Sequence, residues 1–152
     1  LNNAYQAIIT LDGDGQHNPD EIPSFLKKAK EKRMGMIIGY RQRNIFNMRF
    51  DRFLTNWFTS SVISLLCSQR IPDSQCGFRL INAEALRKIR LQTSHFDTES
   101  EIILKIARKG FRIESVPIDT VYKKEKSKIR PLPDTLRFFK FLFLSLFIKN
   151  DK

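Results

Sequence analysis

The stretch LDGDGQHNPDE, residues 11–21, places two aspartates one residue apart among glycines, directly after the apolar run AIIT. Asp12 and Asp14 would fall on the same side of an extended turn. At about 5 Å and an effective dielectric of about 20, their carboxylates repel by about 3 kcal/mol, so the arrangement calls for a positive ligand. Asp and Gly are also turn formers, and a solvated turn is the competing reading. D-x-D by itself does not choose between them.

The flanks say where the pair sits. Tyr5 to Leu11 (YQAIITL) suits a buried strand that ends at the turn. In NPDEIPSFLKKAKEKR, Asn18 can cap a helix, Pro19 fits its first position, and Asp20 and Glu21 favour its positive end. The aspartates therefore occupy a strand-to-helix junction, and in open α/β sheets ligands collect at the carboxyl ends of strands.

Working outward, Met34 to Tyr40 (MGMIIGY) reads as a second buried strand, CGFRLIN as a third, and Arg112 to Pro117 as a further one. AEALRKI predicts a short helix and ESEIILKIARKG a longer one, with Gly110 as its C-cap. From Met48 to Cys67 apolar residues recur at helical spacing, and Phe50, Phe53, Leu54, Trp57, Phe58, Val62, Leu65 and Leu66 are expected to face the core. The alternation of strands and helices predicts an α/β fold with a mostly parallel central sheet flanked by helices.

With 152 residues the chain has one-domain length, divided here into a unit over 1–135 and a distinct hydrophobic and basic segment over 136–152. Lys and Arg outnumber Asp and Glu by 27 to 16, and a formal charge of +11 implies an anionic partner. Nucleic acid is set aside, because the aromatics fall on apolar helix faces instead of interleaving with a basic stripe. Cys67 and Cys76 lack metal-site spacing and are expected as buried or half-buried free thiols in a reducing, cytoplasmic setting.

Known ion and phosphate loops can be tested against the turn. A helix-loop-helix calcium site starting at Asp12 would need Gly where His17 stands and Glu where Pro23 stands. Walker and dinucleotide glycine patterns are absent. What remains is a carboxylate pair for Mg²⁺ or Mn²⁺, hard cations commonly shared with substrate phosphates.

Further elements follow in order: Gly39, Tyr40 and Arg41 after the second strand, DSQCGFRL (Asp73 to Leu80), FDTESEI (Phe96 to Ile102), VPIDTVY (Val116 to Tyr122) and KSK (Lys126 to Lys128). Together with DGDGQHNPDEIP, this set resembles family 2 glycosyltransferases of the GT-A fold, a Rossmann-like nucleotide-diphospho-sugar transferase architecture. The similarity is greatest to dolichyl- and polyprenyl-phosphate mannosyl- or glucosyltransferases. It runs from residue 5 to about 140. The family's first apolar strand and base-binding strand have no counterpart here, so the expectation is an N-terminally truncated, downstream portion of a catalytic domain. Tyr122, Lys123 and Lys124 stand where the nearest mannosyltransferases carry an Arg.

The resemblance implies an inverting, single-displacement transfer from a nucleoside-diphosphate sugar to a lipid phosphate. It implies Asp12, Asp14 and Gln16 as holders of Mg²⁺ or Mn²⁺, with His17 beside them. Arg41 and Arg79 become candidates for the donor phosphates, since a guanidinium grips two oxygens at once. An ion pair between Arg79 and Asp73 is the competing structural role. Asp14, Asp73 and Glu101 are the catalytic candidates. Were the acceptor a hydroxyl, Asp73, Glu99 or Glu101 would take its proton. Glu99 and Glu101 diverge on a helix, so at most one faces the site. Ser127 and Lys128 would anchor the acceptor phosphate. Gly77 is expected to permit a tight turn and Phe78 to be core.

Residues 136–148, LRFFKFLFLSLFI, hold five Phe and two charges. As a helix they would reach about 20 Å, short of the roughly 30 Å hydrocarbon core. A surface-lying membrane contact, packing on the domain, and a spanning segment cut short are the three readings. The function expected is a membrane-associated glycosyltransferase peripheral to, or anchored at, the cytoplasmic face of the membrane. The alternative is a non-catalytic module of the same fold.

Overall fold

The structure is a computed structural model and describes residues 5–41, 50–91 and 97–119. Ser127, Lys128 and the segment 136–152 lie outside the described residues.

Strand β1 (Ala7–Thr10) ends just before the aspartate turn, and β2 (Met34–Arg41) forms from the run MGMIIGYR. β2 is apolar without alternation because both its faces are covered: Met34, Met36, Ile37 and Ile38 are all in the core. A 3₁₀ turn over Pro19–Glu21 leads into α1 (Ile22–Lys28), and the Asn18 side chain caps the turn by accepting from the Asp20 N–H at 3.0 Å. α2 (Phe50–Cys67) is followed by β3 (Arg79–Asn82) and α3 (Ala83–Arg87), the last capped by Asn82. α4 (Asp97–Arg108) precedes β4 (Arg112–Ile118). Gly110, at φ +77, closes α4 by donating to the Ala107 carbonyl while Phe111 donates to that of Ile106. That pair of bonds is the left-handed glycine stop expected from the sequence.

The four strands lie in the order β1-β3-β2-β4. β2 and β4 are parallel, with Arg41 opposite Ile118. β3 is antiparallel to both β1 and β2 and sets Arg79 opposite Thr10 and Ile38. The α/β class stands, but the expectation of a mostly parallel sheet is corrected to a mixed one among the described residues. The reason is a second reversal of the chain. After α2, the segment leading to β3 climbs back along the helix: Ile71 N–H donates to Ser64 Oγ at 2.9 Å and Ser74 N–H to Ser60 Oγ at 3.0 Å. β3 therefore enters the sheet at the end where β1 and β2 leave it. This reversal brings the start of β3 to the aspartate turn.

Phe25 of α1 stacks on Phe78 with ring centroids 4.3 Å apart, beneath the same end of the sheet. Ile63 of α2 and Ile103, Leu104 and Ile106 of α4 complete the core. α2 departs from expectation. Its inward residues are Thr59, Ser60 and Ile63, whereas Leu54, Trp57, Phe58 and Leu65 are exposed. The apolar spacing is helical as predicted and the stripe is divided: Val62 and Leu66 pack against the core, whereas Leu54, Trp57, Phe58 and Leu65 lie outside it, and hydroxyls on the inner side satisfy the backbone of the returning segment.

Candidate active site

Three sequence-distant segments meet where β1 and β2 end and β3 begins. The turn after β1 reverses through Gly15 at φ +70, a conformation that costs glycine little. Within it, the Gln16 N–H donates to Asp14 Oδ1 at 2.9 Å. His17 is buried under the turn, its ring 5.5 Å from that of Phe78, and its Nε2–H donates to Asp12 Oδ2 at 3.2 Å. Its Nδ1 is buried with no hydrogen-bond partner among the described residues. The His17 hydrogen bond holds the Asp12 carboxyl below its ordinary range. The charges of His17, Arg79 and Arg41 act in the same direction, against desolvation.

Asp12 lies over Gly77. A methyl group built on Gly77 would overlap the Asp12 carboxylate, so the close approach requires glycine there. Thr10 ties the same two segments together, its Oγ1 donating to the Gly77 carbonyl at 2.9 Å. The G-F-R element thus lies beside the aspartates; its glycine makes room for the Asp12 carboxylate, while the tight turn expected at Gly77 needs no left-handed backbone there.

The arginines are brought to this end with partners other than those weighed in the sequence. Arg41 donates to both Asp73 oxygens, from Nε at 2.8 Å and Nη2 at 3.1 Å. Arg79 is buried and donates from Nη2 to Glu99 Oε2 at 2.8 Å and to the Ser74 carbonyl at 2.9 Å, and from Nε to the Cys76 carbonyl. The expected competing pair, Arg79 with Asp73, is replaced by two crossed pairs. Burial pushes the Glu99 carboxyl above its ordinary range; Arg79 pulls it back, and the nearby Asp12 charge adds to the rise.

Of the two helical glutamates, Glu99 faces the site. Glu101 turns into the protein, buried, with its Oε1 2.7 Å from Lys105 Nζ one helical turn on. The sequence signalled that at most one could face the site; which one depends on how α4 is rotated against β3. Ser60, whose Oγ accepts from the Ser74 N–H and so braces the segment carrying Asp73, has no motif to mark it. The two cysteines are free thiols, as expected, and burial pushes Cys67 up to about 11 and Cys76 to about 12.

Mg²⁺ and Mn²⁺ take oxygen donors, and the turn offers two carboxylates and the Gln16 amide. Among the described residues no group of three or more His, Cys, Asp or Glu side chains gathers as a metal site. An exposed carboxylate pair of this kind fits a hard cation that takes its remaining oxygens from a diphosphate and water.

Comparison with known proteins gives concordant findings. The family model described as Glycosyl transferase family 2 matches residues 4–90. An uncharacterized protein of Methanocaldococcus jannaschii is 34% identical over 81% of this chain and 55% of its own length. The UDP-N-acetylglucosamine–dolichyl-phosphate N-acetylglucosaminyltransferase of Methanococcus voltae is 29% identical over 95% of this chain and 59% of its own. For the undecaprenyl-phosphate mannosyltransferase of Micrococcus luteus the values are 25%, 82% and 53%. The chain thus spans about half the length of these curated relatives. In structure it is similar to glucosyl-3-phosphoglycerate synthase from Mycobacterium tuberculosis, crystallised with Mn²⁺, UDP and glucosyl-3-phosphoglycerate. The TM-score is 0.66 at 12% identity, covering 98% of this chain and 52% of that one. That likeness establishes the GT-A fold.

Proposed function

Since the chain belongs to glycosyl transferase family 2, we propose that it performs metal-dependent, inverting transfer of a sugar from a nucleoside-diphosphate sugar to a polyprenyl-type lipid phosphate at the cytoplasmic membrane face. The observation that carries this reading is the Asp12 carboxylate lying on Gly77, two residues from Arg79. It joins the two motifs a diphosphate would need at one end of the sheet.

In this reading Asp12, Asp14 and Gln16 hold Mg²⁺ or Mn²⁺, which when bound supplies Lewis-acid neutralisation of the departing diphosphate. His17 keeps Asp12 ionised and oriented. Arg79, fixed by two carbonyls and Glu99, presents guanidinium charge beside Asp12 and stabilises the diphosphate as its charge develops. Arg41 is oriented toward the same end by Asp73, so the role proposed for Asp73 is to position Arg41. The site-facing glutamate role expected of Glu101 passes to Glu99. A lipid phosphate oxygen is already anionic near neutral pH and attacks without a general base. Ser127 and Lys128 are proposed to bind that phosphate. The names of the Methanococcus and Micrococcus relatives, which specify dolichyl and undecaprenyl phosphate, support this acceptor class.

The test is incubation of the complete gene product with Mg²⁺ or Mn²⁺, lipid phosphate and a panel of labelled sugar nucleotides, beside an Asp14→Ala variant. Label should enter lipid, require the metal, and fall by at least a hundredfold in the variant. Undiminished transfer by Asp14→Ala would remove the metal role, and no transfer from any donor would favour a non-catalytic module.

A further inference from the structure

The Glu21 side chain joins two stretches of sequence that lie 98 residues apart. It ends the 3₁₀ turn after the aspartates, and its Oε1 accepts from the Asp119 N–H, the first beyond β4, at 2.7 Å. Its Oε2 is buried and has no hydrogen-bond partner among the described residues. A buried acceptor in that condition costs stability, so packing alone does not account for a glutamate at this position. Nor does the positive end of α1, which Asp20 meets from an exposed position.

The bond stands at the active-site end of the sheet. β4 runs parallel to β2, and the last pair of their ladder sets Ile118 opposite Arg41. Asp119 thus leaves the sheet level with the end of β2, and the Glu21 bond continues the hold one residue past the ladder. The packing beneath is continuous. A methyl group built on Gly39 would lie 2.9 Å from Ile118 Cδ1 and 3.3 Å from Phe25 Cζ. Phe25 stacks on Phe78, and Phe78 neighbours His17, which bonds Asp12. The end of β4 and the aspartate turn therefore belong to one packed unit. Farther along α1, Lys28 Nζ lies 3.6 Å from Glu114 Oε2, so helix and strand are joined at two places. Of the two, the Glu21 bond is the one that reaches the chain beyond the strand.

What leaves the sheet here matters for the acceptor. Ser127 and Lys128, proposed to bind the lipid phosphate, follow Asp119 by eight and nine residues. A chain spans at most about 3.5 Å per residue, so Ser127 stays within about 28 Å of Asp119. The point at which the chain is held sets the volume open to the phosphate ligands, and holding it beside the aspartate turn raises their effective concentration where the diphosphate departs. We infer that Glu21 is a positioning residue for the acceptor: by accepting from the Asp119 N–H it roots the phosphate-binding stretch at the aspartate turn. The inference rests on the proposed lipid-phosphate acceptor and adds the residue that brings its ligands to the donor site.

The test compares Glu21→Ala, which removes the accepting oxygen, with Glu21→Gln, which keeps one, in the complete gene product with Mg²⁺. Binding of a short-chain polyprenyl phosphate is titrated by calorimetry, and transfer is followed with the labelled sugar nucleotide that serves the parent. Glu21→Ala should weaken binding of the lipid phosphate, and raise its KM, about fivefold to tenfold, the loss expected of one hydrogen bond. The KM of the sugar nucleotide should stay within about twofold of the parent, and Glu21→Gln should restore both constants to the same margin. Lys28→Ala, which loosens the same helix from the same strand at their other junction, should leave both in place. Hydrogen exchange at the Asp119 amide should quicken in the Ala variant and not in the Gln variant. Unchanged lipid-phosphate binding in Glu21→Ala overturns the inference. An equal loss for lipid phosphate and sugar nucleotide, shared by Lys28→Ala, marks general loosening and also overturns it. A Gln variant as impaired as the Ala variant does the same, because it assigns the effect to charge. If the parent binds the lipid phosphate but transfers no label, the transfer function fails, and weaker binding in the Ala variant alone sustains the positioning role. If Glu21→Ala transfers label with the parental constants, the positioning role fails and the function stands. A parent that binds no lipid phosphate overturns both.

Discussion

At the junction of β1, β2 and β3 the protein buries charge, while along the outer side of α2 it exposes hydrocarbon. Arg79 and Asp73 are almost fully buried, whereas Trp57 is more than half exposed. Each region reverses the usual distribution of residues, and each costs stability unless something compensates. In the first, the compensation is internal: Asp73 has Arg41, and Arg79 has Glu99 and two carbonyls. In the second, Trp57 and Leu65 keep more than half of their surface open. A buried charge that is already satisfied holds a geometry, whereas an exposed apolar side chain fixes none.

The comparison can be tested from the charged side first. Arg79→Met should remove about 3–5 kcal/mol of stability in urea titration, since it strands Glu99 and two buried carbonyls. A loss under about 1 kcal/mol would mean that water already serves these groups. Ile63→Ala, on the inner side of α2, should cost about 2–5 kcal/mol by the same measurement. Gly77→Ala should leave the fold in place but push Asp12 aside, lowering sugar transfer about a hundredfold, or about 2.7 kcal/mol. Full activity in that variant would show that the position of Asp12 is immaterial. The smallest effect belongs to Leu65→Ser, expected within about 0.5 kcal/mol of the parent in urea. A large loss there would show that the outer side of α2 is packed after all, and would erase the contrast.

Much of the sheet was legible because continuous apolar runs such as MGMIIGYR have few alternatives to a buried strand. The end of α4 was legible for a similar reason, since Gly110 needs a positive φ that other residues resist. The orientation of α2 was not. Helical periodicity identifies a stripe but not which of its edges faces inward; here Val62 and Leu66 meet the core, Leu54, Trp57, Phe58 and Leu65 do not, and hydroxyls bond the returning segment. The direction of β3 was lost for the same reason, because no residue in 68–78 announces a second reversal.

The site divides likewise. The sequence by itself marked the aspartate turn, the glycine of the G-F-R element and the two arginines, because each is written in a short local pattern. Only the tertiary structure decided that Asp12 rests on Gly77, that Arg41 takes Asp73 while Arg79 takes Glu99, and that Glu99 turns to the site while Glu101 turns to Lys105. Local patterns specify which groups are available. Strand register and helix rotation, set by burial over distant parts of the chain, specify which of those groups meet.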